Sequence, residues 1–333
     1  VIQVNDAGIT KTDYSRLFAA ARRTAAQLDT RTRLRLVGIY RTAAAQAAEI
    51  VKDTLERGLS SLTEAADELA KGTEDEITKL ITKAAPLFPE VDAALVWDAS
   101  KISGADRKIT KDGLGRIVSG VSSEVVKSLA TRMWQDGYTF SDRVWAPGAD
   151  AKGRPVSVRG DWQERIKMTV AAGITQGRDP AKIAKDIQVY TADGKVALSK
   201  RWGALERGTA EFAKRLPGKI DWRAQRLVRS ELYTSIRESQ LASGKRNPAS
   251  TGLYDWVLSQ GRQHWGCECE SLAEGSPYTA ENVPTSPHPS CFCSIRPRLM
   301  DLKDFVSDLT RWAKGSGVDY LDAWYRDVYA AAE

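Results

Sequence analysis

Apolar residues in the first part of the chain recur every three or four positions. Val37, Tyr40, Ala44, Ala47, Val51, Leu55, Leu59, Leu62, Ala66 and Leu69 therefore fall on one side of a helix. No proline occurs before Pro86, and only Gly8, Gly38, Gly58 and Gly72 interrupt this stretch, so the pattern predicts helix over 11–28 and 31–70. The alanines in the stripe have little bulk and would let a second helix or subunit approach closely. Pro86 and Pro89 break the pattern, and the polar, glycine-containing stretch from Ser100 to Gly115 reads as a loop. Helix is predicted again from near Val121, with Val125, Val126, Leu129, Met133 and Trp134 as its apolar face and Gly137 as its C-terminal cap.

Ala146 to Gly160, rich in glycine and proline, reads as a domain boundary or a hairpin-like excursion. A helix is expected from Asp161 to Ala172. Asp179 and Pro180 supply the start of another, running to about Ile187. The connection between them is long for a DNA-reading helix-turn-helix, and a generic helix pair is the commoner arrangement. Asp221 can cap a further helix that carries Val228, Leu232 and Ile236 on one side and ends near Gly244. Short strands are expected at Tyr254 to Leu258 and around Cys291 to Arg296. Helix should return at Leu302 to Ala313 and Val318 to Ala331, with Trp312, Leu321, Trp324 and Val328 as contacts. The fold class expected is mainly α: long N-terminal helices followed by an α+β C-terminal domain with a small sheet around a Cys/His cluster. The domains expected are 1–145, a linker or excursion at 146–160, a domain at 161–300, and C-terminal helices at 301–333.

With 333 residues, 42% hydrophobic and 28% charged, the composition is that of globular protein, and the length suggests two domains. No run of 18 apolar residues occurs, and the first residues lack the basic-then-apolar order of a signal peptide, so neither membrane insertion nor secretion is expected. The formal charge of +6 is concentrated: Lys200 to Arg246 holds twelve Lys or Arg against five Asp or Glu, leaving the rest near neutrality. Such a segment can meet nucleic-acid phosphate or an acidic protein, or simply be a solvated helix face. Within it Arg223, Arg226 and Arg229 sit three apart, a spacing that would let them grip a carboxylate or phosphate of a partner together.

The strongest chemical signal is in the distal third. All four cysteines, Cys267, Cys269, Cys291 and Cys293, fall within 27 residues, with His288, one of two histidines, among them. Residues two apart on an extended strand point to the same side, so each Cys-x-Cys can aim both thiols at one point. A structural zinc ion held by four of these five candidates would staple a region otherwise rich in proline, with the fifth available to orient a ligand. Two disulfides and buried thiols are the alternatives; a reducing compartment favours thiolates.

The residues also carry a resemblance. From Arg229-Ser230-Glu231 through Trp256, the Cys267 and Cys269 pair, Leu272, Gly275, Tyr278 and Pro284 to His288-Pro289-Ser290-Cys291-Phe292-Cys293, the chain resembles the phage Mu F-like head morphogenesis family. Its hallmark is a His-Pro-x-Cys-x-Cys ending after an earlier cysteine pair. The likeness covers roughly residues 161 to 300; the N-terminal helices carry no motif of it. The resemblance implies a minor capsid protein of a tailed bacteriophage, located in the virion at the portal vertex and in the host cytoplasm during assembly. Its implied partners are portal protein, other head proteins in a multi-copy assembly, and packaged DNA.

Enzyme readings have less material. With His264 and His288 alone, a Ser-His-Asp triad is poorly supplied, and no Gly-x-x-x-x-Gly-Lys phosphate loop occurs. Glu231 would be the catalytic carboxylate of a toxin-like ADP-ribosyltransferase, but a helix-face ion pair with Arg229 or a neighbour is the commoner use. A zinc-stabilised nucleic-acid-binding module is the other alternative.

Overall fold

A computed structural model describes residues 11–53, 60–134, 136–150, 153, 155–175, 222–259, 268–284 and 291–332. It is mainly helical, with long N-terminal helices and a small antiparallel sheet near a cysteine cluster in the C-terminal region. The chain divides into two compact units, each assembled from separated stretches: 1–28, 81–128 and 232–333 in one, 29–80 and 129–231 in the other.

The second of these is built on a helical hairpin. Helix α1 (Lys11–Asp53) contributes its part from Asp29 onward, and α2 (Ser60–Ala84) its part up to Leu80. They run antiparallel, since Arg35 Nη1 meets Glu76 Oε2 at 3.1 Å and Gln46 donates to Glu68 Oε2 at 2.6 Å. Ala43, Ala44, Ala47 and Ala48 on one helix and Ala65, Ala66 and Ala70 on the other are all buried, so small side chains line the seam, as the stripe predicts. At Gly72 the approach is close enough that a Cβ would sit 3.1 Å from the Ile39 side chain. The break expected at 29–30 is absent. Asp29 and Arg33, one turn apart and both buried, pair at 3.0 Å and carry the helix through that point. The single helix expected over 31–70 is instead divided between α1 and α2, with 54–59 outside the described residues.

The same unit contains α5 (Phe140–Trp145) and α6 (Val158–Thr175). Thr139 begins α5 with a capping box: its hydroxyl accepts from the Asp142 N–H while the Asp142 carboxylate accepts from the Thr139 N–H. Between the two helices, where a domain boundary or a hairpin-like excursion was expected, Ala149 bridges Pro155 in antiparallel fashion. Val158, Trp162, Ile166 and Val170, four apart, bury one face of α6. The residues of the predicted helix at 179–187, and Asp221, lie outside the described residues.

The other unit takes the start of α1, α3 (Leu87–Ser103), α4 (Lys111–Thr131), the sheet and the C-terminal helices. Pro89 sits in the first turn of α3, where a missing N–H costs nothing, so it starts this helix instead of ending one. The loop predicted over 100–115 is shorter than expected. Gly104, at φ 72°, closes α3, a single turn spans Ala105–Arg107, and α4 begins at Lys111 with Gly113 and Gly115 inside it. Helix α4 ends at Thr131, earlier than the Gly137 expected as its cap.

Helix α7 (Trp222–Arg246) leads into β1 (Ser250–Val257). There follow α8 (Cys269–Glu274), β2 (Tyr278–Thr279), β3 (Ser294–Leu299), α9 (Leu302–Ala313) and α10 (Asp319–Trp324). The strands form one sheet in the order β2-β1-β3, both pairings antiparallel, with Tyr254 opposite Tyr278 and Trp256 opposite Ile295. Strands were expected at both main sites; each lies a few residues from the predicted bounds. Leu302, Phe305, Leu309 and Trp312 give α9 its buried face, and Asp301 caps it by accepting from the Lys303 N–H at 2.9 Å. Trp324 Nε1 donates to the carbonyl of Arg246 at 2.8 Å, satisfying one of the acceptors left over where α7 ends.

Candidate metal centre

Three of the four cysteines converge. The sulfurs of Cys269, Cys291 and Cys293 lie within 4.8 Å of one another and all three residues are buried, an arrangement that can hold a metal ion. They sit in an apolar cluster with Tyr254, Trp256 and Ile295, flanked by Leu258, Leu272, Tyr278 and Val283. Cys267 and His288, the other two predicted ligands, lie outside the described residues, as does His264. The Sγ atoms of Cys269 and Cys291 are 3.6 Å apart, well beyond the roughly 2.05 Å of a disulfide.

The two arms of the site differ in kind. Cys291 and Cys293 lie on the extended run entering β3, where alternate side chains share a direction. Cys269 instead opens α8, a correction to the expectation that both cysteine pairs occupy strands. The local reason is readable afterwards. The run Cys269–Glu274 contains no β-branched residue, Glu270 favours a helix N-terminus, and the N–H of Gly275 closes the turn on Ser271 O at 2.9 Å. This short helix is tied to the sheet. Tyr278 Oη donates to Leu272 O at 2.8 Å, and the Trp256 N–H donates to Ser276 Oγ at 2.8 Å.

The three thiols do not share their protons equally. Hydrogen bonds from Cys269 and Cys293 hold the Cys291 thiol far below its ordinary value, with the Arg237 guanidinium adding to the effect against the opposing cost of burial. Cys269 is pushed up by its hydrogen bond to Cys291, then by that to Cys293 and by burial. For Cys293, the hydrogen bond with Cys269 lowers the value, but the bond to Cys291 and burial outweigh it. Of the three sulfurs, Cys291 is thus the one on which the neighbouring groups favour negative charge.

A face of α7 lies along the second arm. Tyr233 meets Phe292 edge-on at 4.8 Å between ring centroids. Arg237 donates from Nη1 to the Cys293 carbonyl at 2.9 Å and from Nη2 to Thr234 Oγ1 at 3.2 Å, with its guanidinium 5.9 Å from the centre of the Trp256 ring. Gln240 Oε1 accepts from the Ile295 N–H at 2.9 Å. Sequence reasoning counted Arg237 only among the cations of a basic segment. The signal that identifies it is the spacing of 233, 237 and 240, which places the three on one helical face.

Of the three arginines expected to grip a partner together, one is drawn into the fold. Arg229 is 4% exposed and meets Asp29 Oδ2 at 3.5 Å, beside the Arg33–Asp29 pair, so its charge is used within the fold. Arg226 is half-buried. Equal spacing along a helix does not distinguish an outward face from an inward one. Glu231 is fully buried; it accepts from Trp134 Nε1 at 2.8 Å and lies 3.7 Å from Arg132. No helix among the described residues is long and apolar enough to cross a membrane. Compared with protein-family models, with curated proteins and with solved structures, the chain finds no match.

Proposed function

We propose that this chain is a minor head protein of a tailed bacteriophage, acting at the portal vertex in head assembly or genome delivery, with its distal region fixed by a structural zinc ion. The observation that carries the reading is the segment His288-Pro289-Ser290-Cys291-Phe292-Cys293 following an earlier cysteine pair, together with the convergence of Cys269, Cys291 and Cys293 on one point. A tetrahedral zinc site with Zn–S bonds of about 2.3 Å requires sulfurs about 3.8 Å apart. The 3.6 Å between Cys269 and Cys291, and the 4.8 Å limit for all three, suit three corners of such a site. Cys267 or His288 is the fourth ligand. The ion would link the α8 arm to the β3 arm and stabilise a region whose apolar cluster is small.

An assembly role is favoured over the two alternatives. The side chains of Arg229 and Arg237 are buried in the fold, which weakens the case for that part of the basic segment as a phosphate-binding face. The Glu231 carboxylate is engaged by Trp134 and sits near Arg132, as a structural group would be. Portal protein, other head proteins and packaged DNA are the partners in this reading. Mass spectrometry of purified virions, with pull-down on portal rings, tests it: the chain is expected in mature particles at few copies and bound to portal. Absence from both overturns the reading, and DNA affinity falling steeply with salt in place of portal binding would establish the nucleic-acid module.

A further inference from the structure

Strand β3 is an outer strand of the β2-β1-β3 sheet, so the backbone groups along its outer side need partners from outside the sheet. Side chains of α7 meet the segment that leads into it. Along one face of that helix, Tyr233, Arg237 and Gln240 meet Phe292, the Cys293 carbonyl and the Ile295 N–H in turn. Three contacts thus hold Phe292, Cys293 and Ile295, the run that carries the cysteine arm into β3. Arg237 does more than Gln240 in this set. It is 6% exposed, it is anchored by Thr234 and lies against the Trp256 ring, and it brings a positive charge to a pocket whose sulfurs must be anionic to bind a cation.

We propose that the Tyr233, Arg237 and Gln240 face of α7 positions the metal centre, with Arg237 the residue that both orients the ligand arm and offsets thiolate charge. This rests on the metal-binding reading given above. A cation surrounded by three or four thiolates is a net anion, and burying one without a nearby positive group is costly. Groups that orient ligands from behind typically contribute 10- to 100-fold to metal affinity.

The test uses the full chain purified anaerobically, with zinc affinity measured by competition against a chromophoric chelator and ligand geometry followed by the visible spectrum of the cobalt-substituted protein. Arg237→Gln is expected to weaken zinc binding by about 10- to 100-fold and to alter the cobalt bands. Arg237→Lys, which keeps the charge, should recover at least about tenfold of that loss; equal weakening of both variants removes the charge role. Binding by Arg237→Gln within about threefold of wild type overturns the proposal. Should that variant fail to fold, Gln240→Ala decides, since it removes one arm contact and no charge: a several-fold weakening is expected, and unchanged affinity overturns the positioning role. Wild-type protein without stoichiometric zinc would end the metal reading itself, whereas wild type and variants binding alike would end only this inference.

Discussion

Asp92 is a carboxylate shut inside the fold, and its surroundings decide which form it prefers. Tyr14 Oη and Asn247 Nδ2 donate to Oδ1 at 2.8 and 3.0 Å, and Ser243 Oγ donates to Oδ2. Burial raises its pKa above the ordinary 3.8, and the three hydrogen bonds counter that only in part. The folded chain therefore binds this proton at a higher pH than the unfolded chain does. Between the folded value and 3.8, stability from this group rises as pH falls. Asp92→Asn keeps an oxygen acceptor for Tyr14 and Asn247, and Ser243 can turn to accept from the new amide. We expect this variant to be at least as stable as wild type at pH 7, with its advantage shrinking as pH falls; urea midpoints across that range measure it. Asp92→Ala, by contrast, strands buried donors at about 1–3 kcal/mol each. A difference between Asn and Asp that does not change with pH would contradict the assignment.

Gly113 shows a second constraint at the residue scale. A Cβ there would overlap the ring and hydroxyl of Tyr329, which also accepts from the Thr110 N–H at 2.7 Å. Alanine normally stabilises a helix interior relative to glycine by about 1 kcal/mol. Here Gly113→Ala should instead destabilise by about 1–3 kcal/mol through overpacking, and Tyr329→Ala should relieve most of that in the double variant. Thermal unfolding of the four proteins in the cycle gives the coupling; additive effects would show that the contact is not made.

At the scale of elements, the Ala-rich seam between α1 and α2 was legible from periodicity alone. A repeat of three and four sets the buried face, and small residues set the distance of approach. Ala66 is fully buried in it. Ala66→Leu is expected to cost about 1–3 kcal/mol, since the facing helix must be displaced, whereas Lys71→Ala on the exposed side should be near neutral. Denaturant unfolding distinguishes the two. Element ends were less legible. Glycines at 113 and 115 suggested a loop where α4 in fact begins; at Gly113 the reason is that Tyr329, far along the chain, occupies the space that a side chain would otherwise fill. Pro89 suggested a stop where it begins α3. In both cases one residue type serves opposite local ends, and the choice depends on what packs against it.

For the molecule as a whole, the cysteine cluster belongs to the unit containing 232–333, while the helical hairpin belongs to the other. Chelation under reducing conditions should therefore raise hydrogen exchange first in β1, α8 and β3, with the 29–53 and 60–80 hairpin retaining its protection. Uniform loss of protection across both would show that the ion sustains more than its own unit, and no change at all would remove its structural role.

The sequence by itself determined the helical class, the apolar stripe of the N-terminal hairpin, the approximate strands, and the grouping of cysteines, because each is written in spacing along the chain. Tertiary structure alone decided which polar residues face inward: Arg229 against Asp29, Glu231 against Trp134, Asp92 among three donors, and Arg237 behind Cys293. The reason is physical. Hydrophobic periodicity marks a buried face only when that face is apolar, and α7 buries Arg229, Glu231, Arg237, Ser239 and Gln240, matched in turn to Asp29, Trp134, the Cys293 carbonyl, the Ala85 carbonyl and the Ile295 N–H, all distant in sequence.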